Sequence, residues 1–475
     1  MSLRSFPDDV SKKCPSKPQP KRTDYNDGHF PGYIFHSYNI QVITPIFGGG
    51  SEAGTNDPVT PIRGSTIRGN LRFWWRATRG AACKSVAELR QREGEIWGTP
   101  DNPSPVAIEV KVGKLQGKRE CRNDHDFPRF GSEAYVLFSA KQEQRDILRE
   151  GFSFCLTIRW LKHERLQELR DRENETRRRE KRKLLPPIIE DISPDIEAAL
   201  WAWANFGGIG ARTRRGCGAP FCKDFAPASR NELITGIKKV MLGVTHEQEN
   251  DTGKWPVMKK VLFGEANTTQ YEKSTSLDAW RAVITVMQEF RQKLDFGRAK
   301  GSGTAGRDKF GRSFWPEADS LRGITDKGDP AHKKSQTVPN PKDAPAFPRS
   351  ELGLPIVFHF IDRDDQPNNC ELYPKGFSRM SSPVILRPLV FSKGTPVEPM
   401  IVVLTPGILD GLELHGIKNP PPLNSNNIRR PDLSTYANSP LGTKDKSDSP
   451  YSRSGSALEG FLNFAKDKGF QEQWP

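Results

Sequence analysis

The sequence predicts an α+β fold whose first half runs in the order β, α, β, β, further β, α, β, close to the ferredoxin-like split βαβ unit with one additional strand or hairpin. Two observations carry that expectation. Apolar residues recur at period two in 33–44 and 152–160 and at helical spacing in 65–82, and a second helix reads at 194–206. Glycines punctuate these segments at Gly48 to Gly50 and at Gly207 and Gly208.

In the first strand Ile34, Tyr38, Ile40 and Val42 share one face. The loop T-P-I-F-G-G-G (44–50) leads from it to the helix at 65–82. Strands are expected at 106–112, 134–139 and 152–160, the last with Phe152, Phe154, Leu156, Ile158 and Trp160 on one side. A charged run at 162–183 separates them from a second helix, 194–206, and a short strand, 219–225. Beyond 226, Leu277, Trp280, Ile284, Met287 and Leu294 lie on one helical face. Strands follow at 354–361, 384–391 and 400–405, then an amphipathic helix carrying Leu458, Phe461, Leu462 and Ala465. The stretches 298–346 and 418–455 are rich in Gly, Pro, Ser and Lys and read as long polar loop insertions. The implied organisation is a polar tail (1–32), an N-terminal domain (33–226, with the charged insertion 162–183) and a C-terminal domain (227–475).

Composition narrows the function. Of 475 residues, 72 are Lys or Arg and 58 Asp or Glu, a net charge of +14 and a pI near 9.4, which favours a polyanionic partner such as nucleic acid. Seven cysteines (Cys14, Cys83, Cys121, Cys155, Cys217, Cys222 and Cys370) are scattered without a C-x-x-C pair, so neither metal nor cofactor is expected and a cytoplasmic, reducing setting is. No stretch is apolar for the roughly 18 residues that a membrane helix needs. Residues 1–22 lack the apolar core of a signal peptide and read as a tail.

The most informative segment is P-I-R-G-S-T-I-R-G-N-L-R-F-W-W-R-A-T-R-G, from Pro61 to Gly80. At 100° per residue Ile67, Leu71, Trp74, Thr78 and Ala82 form one face. Arg68, Arg72, Arg76 and Arg79 fall in an arc of about 80° beside it. No acidic residue between 65 and 82 offsets this stripe, so the counter-charge is expected from outside the helix. Arginine binds phosphate bidentately, and with Arg63 upstream the helix amino terminus near Ser65 adds free N–H groups. Gly64 and Gly69 would admit a close approach. The competing reading is that the stripe pairs with acidic residues elsewhere in the fold.

A second segment, N-F-G-G-I-G-A-R-T-R-R-G-C-G, runs from Asn205 to Gly218. Gly207, Gly208 and Gly210 permit outward backbone N–H groups, while Arg212, Arg214 and Arg215 bring charge to the same loop. The loop lacks a G-K-[ST] and follows a helix, so it is neither a Walker loop nor a dinucleotide fingerprint. The run R-R-R-E-K-R-K at 177–183 holds six basic residues in seven and reads first as a solvated helix face. His36 on the first strand reads as a core residue, His125 as a loop residue, and no catalytic constellation is evident.

Together T-P-I-F-G-G-G, the 61–80 segment and G-G-I-G-A-R-T-R-R-G-C-G resemble the RAMP superfamily of CRISPR proteins. The R-F-W-W-R helix at Arg72 to Arg76 looks like the first subunit of Cmr (type III-B) effector complexes. The strings R-S-F-W-P-E (312–317), F-P-R-S-E-L-G-L-P-I-V-F (347–358) and R-M-S-S-P-V-I-L-R-P-L (379–389) are similar to bacterial members. The resemblance implies two ferredoxin-like, RRM-related domains and an RNA-binding, non-catalytic subunit. It would sit near the 3′ end of the guide RNA (crRNA), contact other Cmr-type RAMP subunits and help capture target RNA in antiviral defence. On that reading Arg63, Arg68, Arg72 and Arg76, with Arg212, Arg214 and Arg215, line one RNA groove, and Phe47 and Trp315 are candidates for base stacking. Two alternatives stay open: a RAMP endoribonuclease using His36 or His125 on guide precursors, and a scaffold subunit whose basic face meets an acidic protein.

Overall fold

The computed structural model describes residues 32–49, 57, 60–100, 102–113, 118–119, 134–137, 147–185, 188, 190–243, 255–264, 275–300, 310–328, 337–338, 340–360, 364, 366–394, 396–407, 409–436, 439–442 and 450–474. The amino-terminal tail, His125, Cys14 and Cys121 lie outside them.

The first half follows the expected order: β1 (Tyr33–Val42), α1 (Gly64–Ala77), α2 (Val86–Trp97), β2 (Val106–Val112), β3 (Ser153–Leu161), α3 (His163–Arg179), α4 (Ser193–Phe206) and β4 (Pro220–Phe221). The sheet order is β2-β3-β1-β4, the ferredoxin-like arrangement, in which the strand after the first helix is reached by skipping one place. α1 buries Ile67, Leu71, Trp74, Trp75 and Ala77 and packs against α4, where the Trp75 indole donates to Asp195 at 2.7 Å. α2 was not expected; Ser85 caps it, its side chain accepting from the Glu88 N–H.

The second half repeats the plan. α5 (Arg230–Val240), a further helix not expected from the sequence, precedes β5 (Met258–Phe263) and α6 (Ser276–Gln292). β8 (Val384–Val390), β9 (Val397–Leu404), α8 (Ala457–Asp467) and β12 (Gln471–Gln473) complete a sheet of order β8-β9-β5-β12, again ferredoxin-like, with each neighbouring pair antiparallel. Its core joins Leu262, Met287, Phe290, Leu386, Ile401 and Phe461. Between these elements lie α7 (Pro316–Thr325) and a third antiparallel sheet, β6-β7-β10-β11, built from β6 (Ile356–Phe358), β7 (Cys370–Pro374), β10 (Gly411–His415) and β11 (Leu423–Asn424). Leu321, Phe347, Ile356, Leu372, Leu412 and Leu414 form the core on one of its faces.

Three local expectations are corrected. Residues 134–137 form a helical turn rather than the start of a strand, because the adjacent Val136 and Leu137 both turn inward onto Phe47, Cys217 and Trp280; 138–139 lie outside the described residues. The stretches 298–346 and 418–455 are not loops throughout. Their apolar residues are sparse, but Trp315, Leu321, Val338, Ala346, Leu433 and Leu441 each dock in the interior, so α7 and β11 form where composition suggested none. His36 is exposed, not in the core, and its ring lies 6.0 Å from that of Tyr38.

By compactness the chain divides into a small unit, 1–35 with 159–191, and a large one, 36–158 with 192–475. The small unit is dominated by α3. There Arg177 is buried, its Nε donating to Glu173 at 2.7 Å and its Nη1 to the Lys183 carbonyl at 3.2 Å, while Asn174 exchanges hydrogen bonds with the backbone of Leu185. The basic run 177–183 thus opens on a structural arginine and continues as exposed charge.

Gly64 and Gly69 on α1 differ in kind. A Cβ on Gly64 would come within 3.0 Å of the Ile108 carbonyl, whereas at Gly69 it would meet nothing within 4 Å. Gly69 is exposed in mid-helix and costs about 1 kcal/mol relative to alanine. Gly69→Ala is expected to raise unfolding free energy by roughly that amount, read from the denaturant midpoint.

Candidate nucleic-acid interface

The Gly- and Arg-rich segment after α4 forms a tight turn whose backbone is pinned from several sides. The Gly207 N–H donates to the Trp203 carbonyl at 2.8 Å, and Gly207 and Gly208 are buried, the latter because a Cβ there would meet Thr213 at 2.8 Å. Gly216 has φ of 77°, and a Cβ on it would lie 2.3 Å from the Leu386 carbonyl. The Thr44 hydroxyl donates to the Gly216 carbonyl at 2.6 Å and accepts from the Ala219 N–H at 2.8 Å, and the Trp280 indole donates to the Arg215 carbonyl at 2.7 Å. With the carbonyls held inward, the side chains of Arg212, Arg214 and Arg215 line a cavity.

That cavity, of about 720 Å³, gathers six guanidinium groups: Arg212, Arg214 and Arg215 from the turn, Arg291 from the end of α6, Arg298, and Arg349. No carboxylate lies among the described residues that line it. Nη1 of Arg214 and Nη1 of Arg215 are buried and make no hydrogen bond. Burial lowers the pKa of Arg214 to about 10, which leaves it cationic at neutral pH, and burial is also the main force lowering Arg215, Arg298 and Arg349. Arg349 is held from behind: its N–H donates to the wholly buried Glu317 at 2.8 Å, its Nε lies 3.1 Å from the other Glu317 oxygen, and its guanidinium sits 5.4 Å from the Trp315 ring centre. Arg214 lies over the Phe73 ring at 4.8 Å. Tyr135 enters the cavity and accepts from Arg291 Nη1 at 3.1 Å. Burial alone would raise the pKa of its phenol, but the charges of Arg291, Arg215 and Arg349 reverse the effect and hold it below the usual value.

The arginines of α1 do not line this cavity. Arg72 and Arg76 both donate to one oxygen of Glu93 on α2, at 2.7 and 2.5 Å. Arg79 lies 3.8 Å from Asp195, which also accepts from Arg92 at 2.7 Å. Arg68 donates to Ser104 at 2.7 Å and to the Val106 carbonyl at 2.8 Å, and Arg63 to the Gly49 carbonyl at 3.0 Å. The counter-charge expected from outside the helix is thus supplied by α2 and α4, as the competing reading of the stripe had it. The expectation that both arginine sets line one groove is corrected for this cavity, because Arg72 and Arg76 turn to Glu93 while Arg68 and Arg63 bond to Ser104 and to backbone carbonyls. Glu93→Gln should cost about 1–2 kcal/mol of stability, since both guanidiniums lose their carboxylate but keep access to water. If the stripe serves the fold alone, RNA affinity should stay within twofold of the unsubstituted chain.

The stacking candidates are corrected too. Phe47 and Trp315 are 3% and 0% exposed, so neither offers a ring face to a base. Phe47 lies 5.8 Å from the Arg212 guanidinium, and Trp315 backs Arg349, so both support the cavity from within. Ser65 is exposed at the start of α1, and Gly210 is half-buried beside Phe47. Sequence reasoning missed Arg291, Arg298, Arg349 and Tyr135. The string around Arg349 gave a cue, but nothing local told of its approach to residues 212–215. Cys217 and Cys222 are buried thiols pushed up to about 12 and about 11 by desolvation, poor metal ligands, and no metal-binding cluster occurs among the described residues. No helix among them is long and apolar enough to cross a membrane.

Residues 39–222, less than half of the chain, match the model of the RAMP superfamily. The curated relative Cmr1-2, a CRISPR system Cmr subunit of Pyrococcus furiosus, is 24% identical over 189 residues, covering 38% of this chain and 91% of the relative. Together the two matches support a Cmr-type CRISPR RAMP protein. Among solved structures, Cmr1 from Pyrococcus furiosus aligns over 83% of this chain and 94% of its own, at 13% identity and a TM-score of 0.39. A chain of type III-B Cmr-beta bound to cognate target RNA aligns over 82% and 96%, at 12% identity and a TM-score of 0.37.

Proposed function

We propose that this chain is an RNA-binding subunit of a type III-B Cmr effector complex, placed near the 3′ end of the guide RNA and helping to hold target RNA, and that it performs no chemistry by itself. The observation that carries the reading is the cavity with six guanidiniums and no carboxylate among the described residues of its lining. Like charges at such density repel one another, and a polyanion that enters relieves the repulsion while gaining charge-assisted hydrogen bonds. The planar fork of arginine suits phosphate oxygens, and sequence choice can be left to base pairing between guide and target. The RAMP match and the Cmr1-2 relative supply the setting.

The test is recovery of the tagged full chain from its native host, with sequencing of co-purified RNA and identification of accompanying proteins. Short guide RNAs with other RAMP subunits are expected. Recovery of the chain with neither would overturn the reading.

A further inference from the structure

The cavity has one wall that no part of this reading uses. Pro355 and Val357, with β6 between and around them, form part of the lining, and both are exposed. Val357 belongs to the outer face of the third sheet, the face opposite its apolar core. The register pairs Val357 with Glu371 and Glu371 with His415, and it pairs Tyr373 with Glu413. Residues facing each other across a strand pair lie about 5 Å apart at Cβ, so the cavity rim at Val357 continues through Glu371 to His415, and Tyr373 bonds that same Glu371.

Tyr373 and His415 form an aromatic pair on this face, with ring centres 4.7 Å apart and planes inclined by 34°. The His415 side chain is 58% exposed. The Tyr373 hydroxyl donates to Glu371 at 2.6 Å, which fixes the ring and leaves its phenol neutral, its pKa pushed up by that bond. Glu371 and Glu413 flank the pair, so the face carries negative charge where the cavity carries positive. A phosphodiester backbone is drawn into the cavity and kept off the sheet by these carboxylates, whereas uncharged base faces meet no such penalty.

We infer that the outer face of the third sheet is a base-stacking platform: a single strand of RNA laid with its phosphates in the arginine cavity places unpaired bases on Tyr373 and His415. This rests on the RNA-binding reading and adds to it the strandedness of the ligand and the residues that meet its bases. A duplex, whose bases are already stacked and paired, gains nothing from the platform.

The probe is a 12-nucleotide single-stranded RNA carrying one 2-aminopurine, titrated with the full chain beside the same RNA annealed to its complement. The expected result is quenching of the 2-aminopurine by the unsubstituted chain, loss of that quenching and about tenfold weaker single-strand binding in Tyr373→Ala, and an unchanged salt slope, since no charge is removed. Duplex affinity should not move. Tyr373→Phe keeps the ring and should retain single-strand binding. If Tyr373→Phe is as weak as Tyr373→Ala, the hydroxyl bond to Glu371 matters and the ring does not, which overturns stacking. Unchanged affinity and quenching in Tyr373→Ala and in His415→Ala, with binding still lost in an Arg214→Ala/Arg215→Ala chain, would sink the platform and leave the RNA-binding reading standing. Absence of arginine-dependent RNA binding altogether would remove both.

Discussion

Replacing Arg214 and Arg215 together by alanine is expected to weaken RNA binding by about 100-fold or more, because each guanidinium brings charge-assisted hydrogen bonds worth roughly 1.5–3 kcal/mol to a phosphate. The same change should flatten the dependence of log affinity on log salt by about 1.4, roughly 0.7 for each phosphate that an arginine no longer neutralises on a single strand. Stability should hold or rise, since the two side chains sit among like charges, and each has one Nη without a hydrogen bond. Affinity and salt slope measured together separate this from a general loss of positive charge. Should the double variant bind as tightly and as salt-sensitively as the unsubstituted chain, the phosphates are held elsewhere.

Arg387 makes the opposite prediction, a large loss of stability. It lies on β8, is 3% exposed, and its Nη groups donate to the carbonyls of Gly207 (3.2 Å), Ala204 (3.3 Å) and Pro220 (3.1 Å). The guanidinium therefore closes the carboxyl end of α4 and ties it to β4, where free carbonyls and the negative end of the helix dipole favour a cation. Desolvation pulls its pKa down to about 9. Arg387→Met removes the cost of burying a charge but strands several buried acceptors, and the second effect is larger; a loss of about 3 kcal/mol is expected, measured by denaturant unfolding. Arg387→Lys should recover only part of it, since one ammonium cannot span the same carbonyls. A midpoint unmoved by Arg387→Met would mean that these carbonyls find other donors.

How legible the molecule was in its sequence differs between fold and site. Period-two apolar runs located β1 and β3, continuous apolar runs located β8 and β9, which are buried on both faces, and helical spacing located α1, α6 and α8, while the Gly207–Gly208 stop marked the end of α4. Of the third sheet only β6, inside the strand expected at 354–361, was legible; β7, β10, β11 and α7 are short, each brings only a few apolar residues, and docking decides their state. Charge patterning found the arginines at 212–215 but favoured RNA over the fold's own carboxylates as the partner of the stripe on α1. Glu93 and Asp195 stand well outside the helix in sequence and are brought beside it only by α2 and α4. Arg291, Arg298 and Arg349 were missed for the same reason: a cavity wall assembled from remote turns has no local signature.

The turn at 212–216 takes its shape from residues translated long after it. The Trp280 indole holds the Arg215 carbonyl, Leu386 crowds Gly216, and Arg387 seals the helix end just upstream. A ribosome that has made residues 1–226 has synthesised every residue of the RAMP match yet none of these supports. The cavity therefore becomes complete late, once the strand carrying Arg387 has emerged and packed. The six guanidiniums are thus gathered, and their mutual repulsion met, only when the surrounding fold is in place to bear it.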